Sequence, residues 1–539
     1  MSHFKLYAGR PYCHESKHFP QKSSTMIIKT LKILLLFIVG LLALLTLLAF
    51  LTYKDLPDNT QRTKSTHLPI DSDTALARQL LPAMQQHPDM SGVYLLGDSH
   101  EAFLARLSLA AAAEKTLDVQ YYIWHDDTTG HLLMQSLYQA AERGVRVRLL
   151  LDDNNTGGMD KLLASVDAHP NIEIRLFNPF MQRTLRPLGY LSDFFRLNRR
   201  MHNKSFSADG LVTITGGRNV GDEYFGFGSG VMFADLDITT VGPAAKEVEQ
   251  DFDRYWASES SYPLQSIVKA AATEPFDTSP SQDVDTQRFL KELGESKFVK
   301  QLRDGSLPLI WTKTQLISDD PAKGLQKSRE ADSVLAHITP LMQQTKEELL
   351  IISPYFVPTK QGANLFIRLA QEGKNVAVLT NSLAATDVIP VHAGYAKYRK
   401  PLLSSGVALY ELKPHATVTT RNHGGIIKSS GASLHAKTFI IDNKTLFVGS
   451  FNMDPRSAAL NTEMGFVFDS EEMASYLADN MKQKQMQYSY LVSKNAKGKL
   501  HWETIEDNQI LEFDDEPHSS FLSRAGVWVC SLLPIEWLL

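Results

Sequence analysis

Apolar and polar positions along the chain follow three regimes, and each predicts a different kind of element. From Ile33 to Tyr53 the run ILLLFIVGLLALLTLLAFLTY carries no charge. A helix needs ~20 such residues to cross the hydrocarbon core, so the run predicts a transmembrane anchor. A cleaved signal peptide fits less well, because its apolar region is usually about 7–15 residues and no small-x-small cleavage site follows. A polar stretch comes next, and beyond about residue 96 helical and strand periods alternate. Glu101 to Lys115 has helical spacing and leads into the strand LDVQYYIW. The helix LLMQSLYQAAERG closes on Gly144, and the strand VRVRLLLDD follows. This βαβ rhythm predicts an α/β fold with a mixed, mostly parallel sheet flanked by helices.

The same order returns later in the chain. HITPLMQQTKEE reads as a helix, LLIISPYFV as a strand, ANLFIRLAQEG as a helix closing on Gly373, and NVAVLTN as a strand. Tyr121 precedes His202 by 81 residues and Tyr355 precedes His435 by 80, a period of 233 between the histidines. That period is too long for a solenoid and indicates a duplicated lobe. The expected organisation is a leader (1–25), an anchor (26–53), a juxtamembrane segment (54–95), lobe one (96–262), a linker with the opening of lobe two (263–345), lobe two (346–490) and a tail (491–539). The linker contains TEPFDTSPSQDVD and a strand, PLIWTKTQL. In the tail, Trp528 and Trp537 lie within an apolar run, which suits either a membrane-interface contact or docking onto the core. Met26 is a natural start for the anchor.

Charge narrows the function. The 539 residues have a formal net charge of -5, with 43% hydrophobic and 21% charged residues. No electrostatic clamp for nucleic acid is visible in those totals. Lys5, Arg10, Lys17, Lys22, Lys29 and Lys32 precede the anchor against a single Glu15, whereas Lys54 and Lys64 after it are mixed with Asp55 and Asp58. The positive-inside rule then keeps the N-terminus in the cytoplasm and sends the lobes outward. Cys13 and Cys530, the only cysteines, would lie on opposite sides of the membrane and sit in no metal-ligand spacing.

Two cassettes carry the chemistry: MHNKSFSADGLVTITGGRN and LHAKTFIIDNKTLFVGSFN. On a strand, the two-residue spacing of His202 and Lys204, and of His435 and Lys437, puts each pair on one face. Asp209 and Asp442 follow the lysines by five residues, and Asn219 and Asn452 follow the histidines by 17. One His-x-Lys-x4-Asp alone is a weak signal; two with matching offsets are a strong one. A phosphodiester has a phosphorus shielded by anionic oxygens and a poor leaving group. A neutral imidazole can attack it without charge repulsion, while a second imidazole protonates the leaving oxygen. His202, Lys204, Asp209, His435, Lys437 and Asp442 are therefore the candidate catalytic set. Asn219, Ser450 and Asn452 are candidate substrate-binding groups, with Gly217 standing where the second lobe has Ser450. Asp237 and Glu463 are the candidates for fixing the imidazole tautomers. The chemistry calls for no cofactor and no metal.

At these residues the sequence resembles the phospholipase D superfamily with its doubled HKD motif, and more narrowly the bacterial cardiolipin synthases of the C-type branch. The resemblance runs from about residue 96 to the end and includes NRRMHNKSF, GGRNVGDEYF, SPYFVPT, VHAGYAKYRK, SGASLHAKTF, GSFNMDPRS, LNTEMGF and LLPIEWLL. It implies a bilobal fold with one site between the lobes, His202 as nucleophile, His435 as acid and base, and motif aspartates that orient without touching phosphate. It also implies a single-pass protein of the bacterial inner membrane that transfers a phosphatidyl group to phosphatidylglycerol. The donor would be phosphatidylglycerol or phosphatidylethanolamine, with the C-type branch favouring the latter. A hydrolytic phospholipase D and a non-catalytic protein binding anionic lipid remain alternatives. A nuclease is disfavoured by the acidic charge and the anchor. Nothing in the sequence sets an oligomeric state.

Overall fold

The computed structural model describes residues 22–228, 232–269, 275–294, 298, 300–301, 304–414 and 432–539. Cys13 and most of the expected leader lie outside them. The first described element is a helix, Lys22–Thr52, whose apolar part Lys32–Leu51 has a mean hydropathy of 3.1 and is not buried against protein. It is long and apolar enough to cross a membrane.

The polar segment after this helix adheres to the first lobe. Arg175 donates to Thr63 O, Arg148 Nη1 to Ser65 O at 3.1 Å, and Asn59 Nδ2 to Ser261 O at 2.6 Å. His67 Nδ1 lies 2.7 Å from Asp253. The arginine heads come from inside the sheet, where they stack on Trp256 and pair with Asp118, Asp253 and Glu173, and the segment adds backbone acceptors for guanidinium N–H groups beyond those carboxylates.

In lobe one the strands are β1 (Ser91–Leu96), β2 (Thr116–Tyr121), β3 (Arg146–Asp152), β4 (Ile172–Phe177), β5 (Ser205–Ala208), β6 (Val212–Gly216), β7 (Met232–Ala234), β8 (Asp237–Val241), β9 (Ser261–Pro263) and β10 (Ile310–Thr312). All but β7 form one sheet, in the order β10-β1-β8-β6-β5-β2-β3-β4-β9. Lobe two contains β11 (Thr314–Ser318), β12 (Glu348–Ile352), β13 (Asn375–Asn381), β14 (Ala408–Leu412), β15 (Ala432–Leu434), β16 (Lys437–Ile441), β17 (Thr445–Gly449), β18 (Met464–Asp469), β19 (Ser489–Lys494), β20 (Leu500–Glu506) and β21 (Gln509–Phe513). Its sheet runs β11-β18-β17-β16-β12-β13-β14-β19-β20-β21. The sheets are mixed and flanked by helices, as the periodicity predicts, but they are mostly antiparallel where a mostly parallel sheet was expected. Within these two sheets parallel pairing is confined to β2-β3-β4 and β12-β13-β14, the strands joined by helices. Hairpins such as β5–β6 and β16–β17 make their other neighbours antiparallel. Gly144 and Gly373 end their helices at φ +93° and +86°, a conformation in which a side chain would be strained.

Two boundaries fall elsewhere than the sequence suggests. PLIWTKTQL, read as one strand opening lobe two, divides at Lys313, so that β10 completes the first sheet and β11 begins the second. The tail likewise continues the second sheet through β19, β20 and β21. The lobes share one apolar core, in which Val93, Leu236, Ile238 and Val248 of lobe one pack with Leu350, Leu434, Ile440 and Phe466 of lobe two. Each such side chain contributes roughly 1.5–3 kcal/mol on burial, enough to make separating the lobes costly.

Candidate active site

His202 and Lys204 stand at the start of β5, and His435 and Lys437 at the start of β16. These ends meet because each lobe lends backbone to the other. The parallel pair β7–β15 crosses between the lobes. The His435 N–H donates to Ala234 O at 2.8 Å, and the His202 N–H donates to Thr462 O at 2.9 Å. In both places the next residue after the acceptor is an acid. Asp235 Oδ2 lies 2.6 Å from His435 Nδ1, and Glu463 Oε2 lies 2.8 Å from His202 Nδ1. Each imidazole is thus held by the opposite lobe, with Nδ1 on the carboxylate and Nε2 turned away from it.

Glu463 meets the expectation for an orienting group. Asp237 does not. Its Oδ2 accepts from Arg106 Nη2 at 2.8 Å and its Oδ1 from the Arg218 N–H at 3.1 Å. As the first residue of β8, it is fixed by pairing with Gly216. The acid that sequence spacing missed is Asp235, because the loop before it makes the His-to-acid distance longer in lobe one. Alignment from the following strand finds it: Gly217 N bonds Leu236 O just as Ser450 N bonds Met464 O, which makes Asp235 the counterpart of Glu463.

That correspondence also explains Gly217. A Cβ there would come within 2.1 Å of Asp235 Oδ1. In lobe two the space holds the Ser450 hydroxyl, which donates to Glu463 Oε2 at 2.5 Å and accepts from the Met464 N–H at 3.0 Å. Ser450, expected to bind substrate, supports Glu463 instead. Gly217→Ala is expected to displace Asp235 and cut activity by at least ~100-fold while the melting temperature shifts little. An activity assay beside a thermal melt checks this, and unaltered turnover would break the link.

The asparagines differ. Asn219 accepts from the Ile123 N–H at 3.2 Å and donates to Tyr224 Oη at 3.0 Å, so its amide is committed to scaffolding rather than to a substrate. Tyr224 in turn lies edge-on to His435, 5.3 Å between ring centres. Asn452 keeps a buried Oδ1 without a hydrogen-bond partner. Aromatic rings that sequence reading passed over complete the walls. Tyr122 is edge-on to His202 at 4.9 Å, and Phe233 lies 5.1 Å from His435. Tyr121, used as a spacing mark, is instead a core residue that accepts from Arg106 Nε.

Lys204 and Lys437 donate to the carbonyls of His202 and His435 respectively, which folds both ammonium heads back into the site. Burial lowers both lysines, Lys204 well below the usual range and Lys437 to about 8. Burial also lowers both imidazoles, with the lysines adding to it, and His202 falls furthest. The carboxyls diverge. Burial raises Glu463 to about 7, whereas Asp235 is held at about 2, because the charges of His435, Lys437 and Arg218 outweigh its burial. An arriving phosphodiester anion would favour the charged form of both lysines.

Asp209 and Asp442, placed in the candidate catalytic set, lie at the far ends of β5 and β16, roughly 20 Å along the strand from their histidines. Each accepts three consecutive backbone N–H groups: Asp209 from Glu114, Lys115 and Thr116, and Asp442 from Lys346, Glu347 and Glu348. The motif thus spans one strand, with chemistry at one end and a turn clamp at the other. Burial opposes ionisation of Asp442, but the three N–H groups lower its pKa overall. A depressed carboxyl stabilises the fold above its unfolded pKa and loses that contribution as pH falls through the folded value. Asp442→Ala is expected to cost about 1–3 kcal/mol near neutral pH. Denaturant titrations should show the deficit shrinking in acid; a deficit independent of pH would contradict the clamp.

One His–carboxylate cluster with metal-ligand spacing occurs among the described residues, formed by His125, Asp127 and Glu223. Its groups are already engaged: Asp127 caps a helix through the Gly130 N–H, and His125 pairs with Glu223 at 3.2 Å.

Comparison with known proteins bears on the whole chain. The family model described as "Cardiolipin synthase, PLD-like domain" matches twice, at residues 107–256 and 338–485. Cardiolipin synthase C of Escherichia coli is 50% identical over 470 residues, covering 86% of this chain and 99% of that protein. An uncharacterized protein of Helicobacter pylori is 31% identical over 451 residues, covering 82% of this chain and 88% of that one. The solved phosphatidylserine synthase of Haemophilus influenzae superposes with a TM-score of 0.55 at 15% identity, over 86% of this chain and 100% of that one, a likeness of fold.

Proposed function

Because the chain belongs to the cardiolipin synthase family of phospholipase D-like proteins, we propose that it is a membrane-anchored phosphatidyltransferase that makes cardiolipin through a phosphohistidine. One observation carries the mechanism: two imidazoles from opposite lobes, each with Nδ1 on the other lobe's carboxylate.

The roles follow from the environments. His202, the more strongly neutralised ring, is the nucleophile. Its Nε2 attacks the donor phosphorus, and the bond to the headgroup oxygen breaks. His435, next to a carboxylate that stays ionised, is the ring better able to carry a proton, and it delivers that proton to the leaving alcohol. The glycerol hydroxyl of phosphatidylglycerol then gives its proton to His435, and its oxygen displaces His202 from phosphorus. Lys204 and Lys437 neutralise the non-bridging oxygens, and Asn452 is placed to contact them. One phosphodiester replaces another, so no energy donor enters. Glycerol leaves if the donor is phosphatidylglycerol, and ethanolamine leaves if it is phosphatidylethanolamine.

The apolar helix and the charge flanking it support a single-pass protein in the bacterial inner membrane, with the lobes on the outer side. Purified protein given labelled phosphatidylglycerol, with and without phosphatidylethanolamine, should form cardiolipin, and the labelled by-product identifies the donor. Phosphatidic acid as sole product would move the reading to hydrolysis, with water replacing the lipid alcohol. A reporter fused after Leu539 that works in the cytoplasm would reverse the orientation.

A further inference from the structure

The C-terminal tail is fastened to lobe two on one side and bare on the other. Gly526 of the helix Phe521–Ser531 packs on Ile389, Tyr398 Oη donates to Glu536 at 2.7 Å, and Leu539 is buried with Val357 and Val391. On the opposite face Phe521, Trp528 and Leu532 repeat at seven and four residues, and Leu522, Val529 and Leu533 repeat at the same spacing beside them. Four of them lie on the helix and Leu532 and Leu533 follow directly at its C-terminal end, and all six side chains are exposed, Trp528 by 64% and Leu522 by 78%. Trp537 extends it. Such a stripe on a helix already docked through its other side calls for an apolar partner.

Lobe one presents a similar surface. In the helix Gly189–Leu197, Phe195 is 69% exposed, and this helix packs against the apolar helix Lys22–Thr52. Tyr53, the residue after that helix, lies within electrostatic reach of Asp193 and Arg196. The bonds of residues 59–67 to lobe one hold the anchor and the lobe together, in place of a slack tether. Arg456 joins the two surfaces: Nη2 donates to Asn198 Oδ1, just after the 189–197 helix, and Nε donates to Leu538 O in the tail.

We propose that the exposed stripe of the tail helix and the Phe195 surface are a two-point seat on the bilayer crossed by the N-terminal helix, holding the site against the lipid surface. The partner is the lipid interface itself, where tryptophan and phenylalanine are favoured and the near absence of charge on the stripe costs nothing. This rests on the proposed reading of a lipid substrate for its purpose, but not for its test.

Full-length protein in phosphatidylglycerol–phosphatidylethanolamine vesicles containing bromolipid should show tryptophan quenching. Most of it should be lost in W528F/W537F, because Trp124, Trp256 and Trp502 are buried and the half-buried Trp311 stacks on His87. F195E/W528E/L532E should raise the KM for vesicle lipid about tenfold and leave kcat on dispersed short-chain lipid unchanged. Quenching that persists in W528F/W537F, or crosslinking of two copies through L532C in a C13S/C530S background in place of quenching, would overturn the seat. Quenching without cardiolipin formation would leave the seat standing and remove the reaction.

Discussion

Replacing either His202 or His435 with alanine is expected to lower cardiolipin formation by at least ~1000-fold, and replacing both should cost little more than replacing one. In the proposed mechanism the two rings serve a single phosphorus: without the nucleophile no covalent intermediate forms, and without the acid the headgroup alcohol cannot leave. Non-additivity is the informative part, since two independent contributions would multiply. Both rings are buried and each sits on a carboxylate of the other lobe, so truncation also leaves a buried acid short of a partner. Labelled lipid product measured for the two single variants and the double variant decides it. A single variant that retains cardiolipin synthesis within tenfold of the parent would end the two-histidine mechanism.

The second large effect concerns the carboxylates. Asp235→Asn and Glu463→Gln each remove the acceptor that fixes an Nδ1–H, and each should lower kcat by ~100- to 10,000-fold. Their pH profiles should differ. Asp235 is ionised beside His435 and favours its imidazolium. Removing that charge makes the proton easier to lose, so the alkaline limb of kcat/KM moves to lower pH. Glu463, raised to about 7 by burial, accompanies the ring proposed to attack unprotonated. Its amide variant should lose rate and keep the alkaline limb in place. Identical shifts in both variants would dissolve the distinction between nucleophile and acid.

The duplication, the two lobes and the histidine–lysine pairs were legible in the sequence because strand and helix periods repeat with the cassettes in register. The orienting acid of lobe one was not, because FADLD offers two carboxylates on alternate residues. Only strand pairing shows that Asp237 belongs to the sheet and Asp235 to the site. Spacing alone also grouped Asp209 and Asp442 with the chemistry, since a motif records proximity along the chain and not the length of the strand between its ends. The swap of carboxylates between lobes is a tertiary property, and residue order holds no trace of it.

That exchange has a consequence for how the molecule can change. Severed from its twin, either half would retain an imidazole with no anion to aim it, and so inherit nothing useful. Descent from a shorter ancestor would then have required two copies to clasp before they were fused. Drift in one copy remains answerable to the other, residue for residue, for as long as the enzyme is under selection.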